Sequence, residues 1–330
     1  MTNKYQLPLK FGYAPDGTLL GSNTNIDKAK ILSQTAMLIT LEIGLPGQSI
    51  KDEAATVSVQ QVFSTSYDAG YYHKKLYDSD DISDIRRAAA EARAYYREHS
   101  LPWRGKNRLL PSKEYMDFVS AMNTLKTLFF NARDNFKADY ANVLKRSEKR
   151  LGQTLYNQQE YPDVKELDYH FVFELDVQPV PSGDHLNDIK DLVYDDLEII
   201  KAEINSNVEE DLHKAMNDLW FRLFDVVRDM HNKMSNKDAK AYHKSIVTNI
   251  EDLLIILKTL NIAGNTELER MSEEIKNKLC SYDMDDIKNS EKLREDLTDE
   301  TSQIMHDIMG ITGVDPDQAR GKKTKNTMIT

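Results

Sequence analysis

Ser100-Leu-Pro-Trp-Arg-Gly-Lys-Asn-Arg-Leu-Leu-Pro111 is the stretch on which the reading of the fold turns. Two prolines, one glycine and three basic side chains read as a short rigid loop. N-terminal to it, Ile82 to His99 has the composition of a helix: Arg86, Arg87, Arg93 and Arg97 supply charge, and Ala88, Ala89, Ala90 and Ala92 a small face that lets a neighbour approach. C-terminal to it, from Pro111 to about Tyr156, Tyr115, Phe118, Met122, Leu125, Phe129, Ala132 and Phe136 recur at steps of three and four. The loop is therefore expected at the apex where a helical rod turns back.

A second long helix is expected from Asp184 to Met234, with Leu197, Ile204, Val208, Leu212, Leu219, Leu223, Val226 and Met230 in its stripe. Between the two rods, Tyr169 to Val177 alternates and is rich in β-formers, which predicts a strand closed by Pro179-Val-Pro181. Its available partners are the segments near Leu7–Phe11 and Ile39–Ile43. Two rods separated by a strand and two turns can lie antiparallel and bury their seams on each other. The expected fold is mainly α: an elongated antiparallel helical bundle or coiled coil with a small β element. Its divisions are a mixed α/β segment at 1–80, a long helical hairpin at 81–235, a C-terminal helical bundle at 236–310 and a disordered tail at 311–330.

Within those divisions the punctuation is explicit. Pro15-Asp-Gly17 predicts a turn, and Asn25 or Asp27 a cap for a helix carrying Ala29, Leu32, Ala36 and Met37. Ile39 to Gly44 reads as helix or strand, and Asp52 to Phe63 as a helix. Thr266 with Glu269 forms a capping-box pair, and one helix is expected from Met284 to Met309.

Composition bounds the class of protein. The 330 residues are 40% hydrophobic and 29% charged with 13 Gly and 9 Pro, a balance that fits a folded helical chain. One cysteine, Cys280, a polar N-terminal sequence and no run of roughly 18 apolar residues predict a cytoplasmic protein outside the membrane. The net charge of −11 is uneven: residues 86–150 hold 15 Lys and Arg against 7 Asp and Glu, a local +8. That basic middle has two readings, an anionic partner or the acidic half of its own fold.

The catalytic and metal-binding signatures tested are absent. There is no Gly-x-x-x-x-Gly-Lys loop, no His-Glu-x-x-His and no Cys-x-x-Cys. Asp78 to Asp84 lacks the central glycine and closing glutamate of a calcium loop and reads as an acidic helix start. Asp163 with Asp188-Ile-Lys190 has nuclease-like spacing, but Asp188 opens an expected helix where that chemistry needs a strand. His170, between aromatics, reads as a packed histidine. No catalytic residue, cofactor or metal is therefore expected. Candidate partner-binding residues are Trp103, Arg104, Lys106 and Arg108 on the loop, with Arg93 and Arg97 on the helix before it, because Trp and Arg dominate binding hot spots.

An ordered set of short motifs carries a resemblance. Ala92-Arg-x-Tyr-Tyr, Leu101-Pro-Trp-Arg-Gly, Arg108-Leu-Leu-Pro111, Phe136-x-x-x-Tyr140, Tyr161-Pro162, Pro179-x-Pro181, Leu219-Trp-Phe-Arg-Leu223 and Asn249-Ile with Leu260-Asn-Ile262 span roughly residues 30–280. Together they resemble a family of mostly helical proteins encoded by tailed bacteriophages and some bacteria, often near a MoxR-type AAA ATPase and a von Willebrand A-domain protein. The resemblance implies a phage or bacterial accessory role beside that ATPase and supplies no catalytic residue. The expected function is a non-enzymatic, protein-binding adaptor. The alternatives are a nucleic-acid-associated factor using Arg86, Arg87, Arg93, Arg97, Arg104 and Arg108 on phosphates, and a self-assembling structural protein.

Overall fold

A computed structural model describes residues 12–13, 19–20, 28–66, 68–183, 194–236 and 243–313. In chain order its elements begin with β1 (Gly12–Tyr13), β2 (Leu19–Leu20), α1 (Lys28–Thr35), β3 (Ala36–Gly44), β4 (Ser49–Lys51), α2 (Glu53–Phe63), β5 (His73–Lys75) and α3 (Ser83–Glu98). The hairpin strands β6 (Leu101–Pro102) and β7 (Arg108–Pro111) follow, then α4 (Tyr115–Ala138), α5 (Tyr140–Leu155), α6 (Leu167–His170) and β8 (Val172–Pro179). The chain continues through α7 (Tyr194–Met234), α8 (Ser245–Leu260), α9 (Thr266–Leu279), α10 (Met284–Asn289) and α11 (Glu291–Thr312). The protein is mainly helical, with a four-stranded sheet ordered β6-β7-β3-β8 and the two-stranded pairs β1-β2 and β4-β5.

The chain divides into two compact units made of interleaved pieces rather than consecutive segments. The ranges 1–38, 98–115 and 178–330 contribute to the first, and 39–97 with 116–177 to the second.

The core of the first unit is built on α7. Val208, Leu212, Ala215, Met216, Leu219, Leu223, Val227 and Met230 are buried at helical spacing. They pack with Ala29 and Leu32 of α1, Leu101 and Leu109 of the hairpin, and the inner faces of α8, α9 and α11. At roughly 1.5–3 kcal/mol per buried large apolar side chain, this cluster holds the unit together. Asn265 caps α9 by accepting from the Leu268 amide, displacing the expected cap Thr266 by one residue. Ser290 likewise caps α11 and splits the single helix expected from Met284 into α10 and α11.

The second unit is aromatic. Phe118, Met122, Phe129 and Phe136 of α4 are buried as the seven-residue spacing requires. Phe129 lies 5.6 Å from Phe173 of β8, and Phe136 lies 5.5 Å from Tyr140 and 5.6 Å from Tyr77. Ala88, Ala89 and Ala92 are buried on α3, whose Tyr96 hydroxyl donates to the Ile39 carbonyl at 2.9 Å. The seam of α4 is covered by aromatics of its own unit, while α7 is covered by α11, α8 and α1 of the other. The first rod is itself interrupted, at Asp139 between α4 and α5 and at Gly152, whose φ of 69° is non-helical.

Other expectations shift for local reasons. Ala36 and Met37 belong to strand β3, which removes the ambiguity of Ile39 to Gly44. The strand expected over 169–177 is β8, three residues later at its start, because Leu167 to His170 closes a helical turn. His170 is exposed at the end of that turn rather than packed. The turn at Pro15-Asp-Gly17, the segment Leu7–Phe11, the caps Asn25 and Asp27, the start of the second rod at Asp184 with Asp188 and Lys190, and positions 314–330 of the expected tail lie outside the described residues. Ile311 and Thr312 still belong to α11, with Gly313 at a φ of 67° ending it.

Candidate protein-docking site

The stretch from Ser100 to Pro111, expected as a short rigid loop, contains the paired strands of a β-hairpin. Leu101 pairs with Leu109 and Pro102 with Arg108, and the Trp103 amide donates to the Asn107 carbonyl at 3.1 Å. Gly105 takes the positive φ of 69° that the tip requires, where a side chain would be strained. Leu101, Leu109 and Leu110 are fully buried, and that burial explains why two short strands stay paired.

The hairpin brings Trp103, Arg104, Lys106 and Arg108 together, but it engages most of them internally. Trp103 packs partly buried against the core of the first unit. Arg104 pairs with the buried carboxylate of Asp211 at 3.1 Å and donates to Asn207 at 2.9 Å, both on α7. Arg108 donates to the Ser100 hydroxyl and carbonyl at 2.7 and 2.6 Å. Arg222, from α7, donates to the carbonyls of Glu98 and Ser100 while paired with Asp218. At the tip, Lys106 is exposed and Arg104 half-exposed. Arg93 and Arg97 belong to the second unit: Arg93 donates to the Ile43 carbonyl at 2.8 Å, and Arg97 is exposed.

A surface that the sequence reading passed over lies on α2. Asp52 caps this helix by accepting from the Ala55 amide at 2.9 Å, and Ser64 ends it with a left-handed φ of 50°. The helix crosses between β4 and β5, which pair antiparallel through Ile50 and Lys74. What it buries is polar. Thr56 is 1% exposed, its hydroxyl donating to the Asp52 carbonyl at 2.6 Å and accepting from the Tyr72 amide at 3.0 Å. Gln60, one turn on, donates to the Gly70 carbonyl at 3.2 Å.

The apolar residues of α2 face outward. Ala55, Val59, Val62 and Phe63 fall at i, i+4, i+7 and i+8, a spacing that puts them on one stripe. Val62 is 77% and Phe63 72% exposed, and Val59 follows at 44%. Half-exposed Tyr71 belongs to the same substructure, with the Lys51 ammonium 4.1 Å from its ring centre. The sole charged side chain of α2 is Glu53, at its first residue. A contiguous uncharged stripe of this kind is unlike singly scattered surface apolar residues.

A buried ion cluster fixes α2 in place. Lys74 is 3% exposed, and its ammonium meets Asp52 at 2.8 Å, Glu160 at 2.9 Å and the Leu155 carbonyl at 2.7 Å. The hydrogen bond from Lys74 and the bonds from α2 amides hold the Asp52 carboxyl below its ordinary pKa. Burial alone would lower the pKa of Lys74, but its two carboxylate partners outweigh burial and raise it. Beside it, Tyr77, Tyr140 and Tyr161 cluster with hydroxyls bonded to carbonyls or to one another, and burial raises the pKa of each.

Periodicity alone could have located the stripe, since residues 52–63 were read as helical. What it could not say is that the polar Thr56, beside the stripe, is the residue the helix buries. Among the described residues there is no group of three or more His, Cys, Asp or Glu side chains placed to hold a metal, and no helix long and apolar enough to cross a membrane. Comparison with protein-family models, curated proteins and solved structures finds no match to this chain.

Proposed function

We propose that the protein is a non-enzymatic accessory factor that binds another protein through the exposed apolar stripe of α2. The observation that carries this reading is the exposed apolar stripe: Val59, Val62 and Phe63 face solvent, while Thr56 is the buried residue of the helix. Leaving those side chains in water forgoes about 1.5–3 kcal/mol each, so a partner that covers them regains that amount. The stripe suits an apolar groove or a second apolar helix face, because a helix with one charge at its end offers no electrostatic attraction to phosphates. The tip residues Arg104 and Lys106 form a second contact in this proposal, and Trp103 supports the tip from below. The resemblance makes a MoxR-type AAA ATPase the first partner to test, which gives the protein the role of an adaptor in bacterial or phage-infected cytoplasm.

Charge placement favours this reading over a nucleic-acid one. Arg93, Arg104 and Arg108 already donate to protein oxygens, as do Arg146 to Asp81 and Asp139, and Lys137 to Asp168. The test is a quantitative pull-down with the parent, the double variant Val62→Ser with Phe63→Ser, and the double variant Arg104→Ala with Lys106→Ala. Partner recovery should fall more than tenfold in the serine variant and by a smaller factor at the tip. Equal recovery by parent and serine variant, or no partner for any of the three, would overturn the proposal. Mass measured against protein concentration separates self-assembly, and a steep salt dependence of nucleic-acid binding would point to the phosphate reading.

A further inference from the structure

The first unit carries a cleft of about 770 Å³ between α8 and α9. α8 turns Ile250 and Leu260 into the core and leaves Ile255, on the cleft, 67% exposed. Leu254 and Leu268 complete an apolar floor. The rim is ionic: Glu251, Asp252, Glu269 and Glu273 stand against Lys258 and Lys276, a net charge of −2. Glu269 accepts from Asn261 at 3.2 Å, whereas Glu251, Asp252 and Glu273 form no ion pair among the described residues. Acidic side chains of α9 that lie off the cleft are matched, Glu267 by Arg270 and Glu274 by Arg270 and Lys278.

The charge is uneven along the cleft. The connection at 261–265 is short, so α8 and α9 run antiparallel. Glu251 therefore lies at the Lys276 end, where both act on the Cys280 thiol. Lys258 and Glu269, toward the other end, offset each other in charge, and the acidic excess is left with Glu251, Asp252 and Glu273. A small cation would meet those carboxylates but leave Ile255 in water. An uncharged apolar helix would cover Ile255 but strip water from unpaired carboxylates. A groove between two packed helices has the shape of a third. We infer that the α8–α9 cleft docks a basic amphipathic helix of a partner protein, with its Lys or Arg side chains on Glu251, Asp252 and Glu273 and its aliphatic stripe on Leu254 and Ile255. This site is additional to the α2 stripe, which belongs to the other unit.

The test is fluorescence anisotropy of the full-length protein with a fluorescein-labelled helical peptide as long as α8, bearing a leucine stripe flanked by lysines and alanine elsewhere. Saturable binding is expected, weakened about tenfold by Ile255→Ser. The combined variant Glu251→Lys, Asp252→Lys, Glu273→Lys should weaken it by at least about tenfold and should bind instead the peptide whose lysines are replaced by glutamate. That exchange of preference is something an unfolded variant would not show. No binding by the parent, or equal binding by a peptide with alanine in place of leucine, would overturn the inference. So would loss of binding in the combined variant Val62→Ser, Phe63→Ser, which would put the peptide on α2. A dimer of the protein alone that Ile255→Ser dissolves would give the cleft to a second copy and overturn it as well. Because the two sites lie in different units, failure at the cleft leaves the pull-down result for α2 standing.

Discussion

Replacing Lys74 by methionine keeps the length of the side chain and removes its charge. In the parent, three oxygens converge on the ammonium within 2.9 Å, and Lys74 is 3% exposed. The variant leaves the Asp52 and Glu160 carboxylates facing each other and orphans the Leu155 carbonyl. Removing one partner of a buried pair costs roughly 3–5 kcal/mol. Because the side chains of Asp52 and Glu160 keep 12% and 19% of their exposure, water offsets part of that loss. A cost of about 3 kcal/mol is expected, equivalent to about 6–12 °C in Tm at roughly 2–4 °C per kcal/mol. The dependence on pH has a definite sign. The depressed Asp52 pKa contributes stability that is present above the unfolded carboxylate pKa of about 3.9 and lost as pH falls through the folded value. The raised Lys74 pKa contributes stability that is present below the unfolded lysine pKa of about 10.4 and lost as pH rises through the folded value. In the methionine variant the two carboxylates repel, so acidification from pH 7 toward 4 relieves them and the deficit in Tm should narrow. Thermal melts of both proteins at pH 7 and pH 4 read this directly. A variant melting within 2 °C of the parent at pH 7, or a deficit that widens in acid, would refute the role given to Lys74.

Three further outcomes follow from other parts of the structure. Arg222→Met removes the donor to the Glu98 and Ser100 carbonyls and should cost about 2–3 kcal/mol in chemical denaturation, since hydrogen bonds from charged groups are worth roughly 1.5–3 kcal/mol. Gly105→Ala, at a φ of 69°, should cost about 1 kcal/mol while leaving the packing of Leu101 and Leu109 intact. The Cys280 thiol is pushed up to about 11, first by burial and then by Glu251. Alkylation at pH 8 should therefore be more than tenfold slower in the folded protein than in denaturant, measured by mass spectrometry, because only the thiolate reacts.

The elements were readable where a single periodicity decides them. The buried run of α4, the alternation of β8 and the alanine face of α3 follow from side-chain spacing alone. What escaped depends on pairings across long separations. Arg104 and Asn207 are 103 residues apart, and nothing near Arg104 announces that α7 will take up its charge. The Ser100–Pro111 stretch was read as a loop because its prolines and glycine dominate. Leu101 and Leu109, fully buried, make it a hairpin. For the same reason nothing near Lys74 in the chain announces that Glu160 will join Asp52 in enclosing it. The α2 stripe shows the reverse limit. Its period was legible, but which side a helix buries depends on what packs there, and here Thr56 and Gln60 meet the polar backbone of Gly70 and Tyr72.

The α2 stripe is tested most directly by amide hydrogen exchange on the protein alone and in complex with the partner recovered by pull-down. Slower exchange concentrated over residues 53–63 in the complex, absent when Val62→Ser and Phe63→Ser are combined and with parent and variant melting within 2 °C of each other, is the expected result. Unchanged exchange over residues 53–63 in a saturated complex would contradict it.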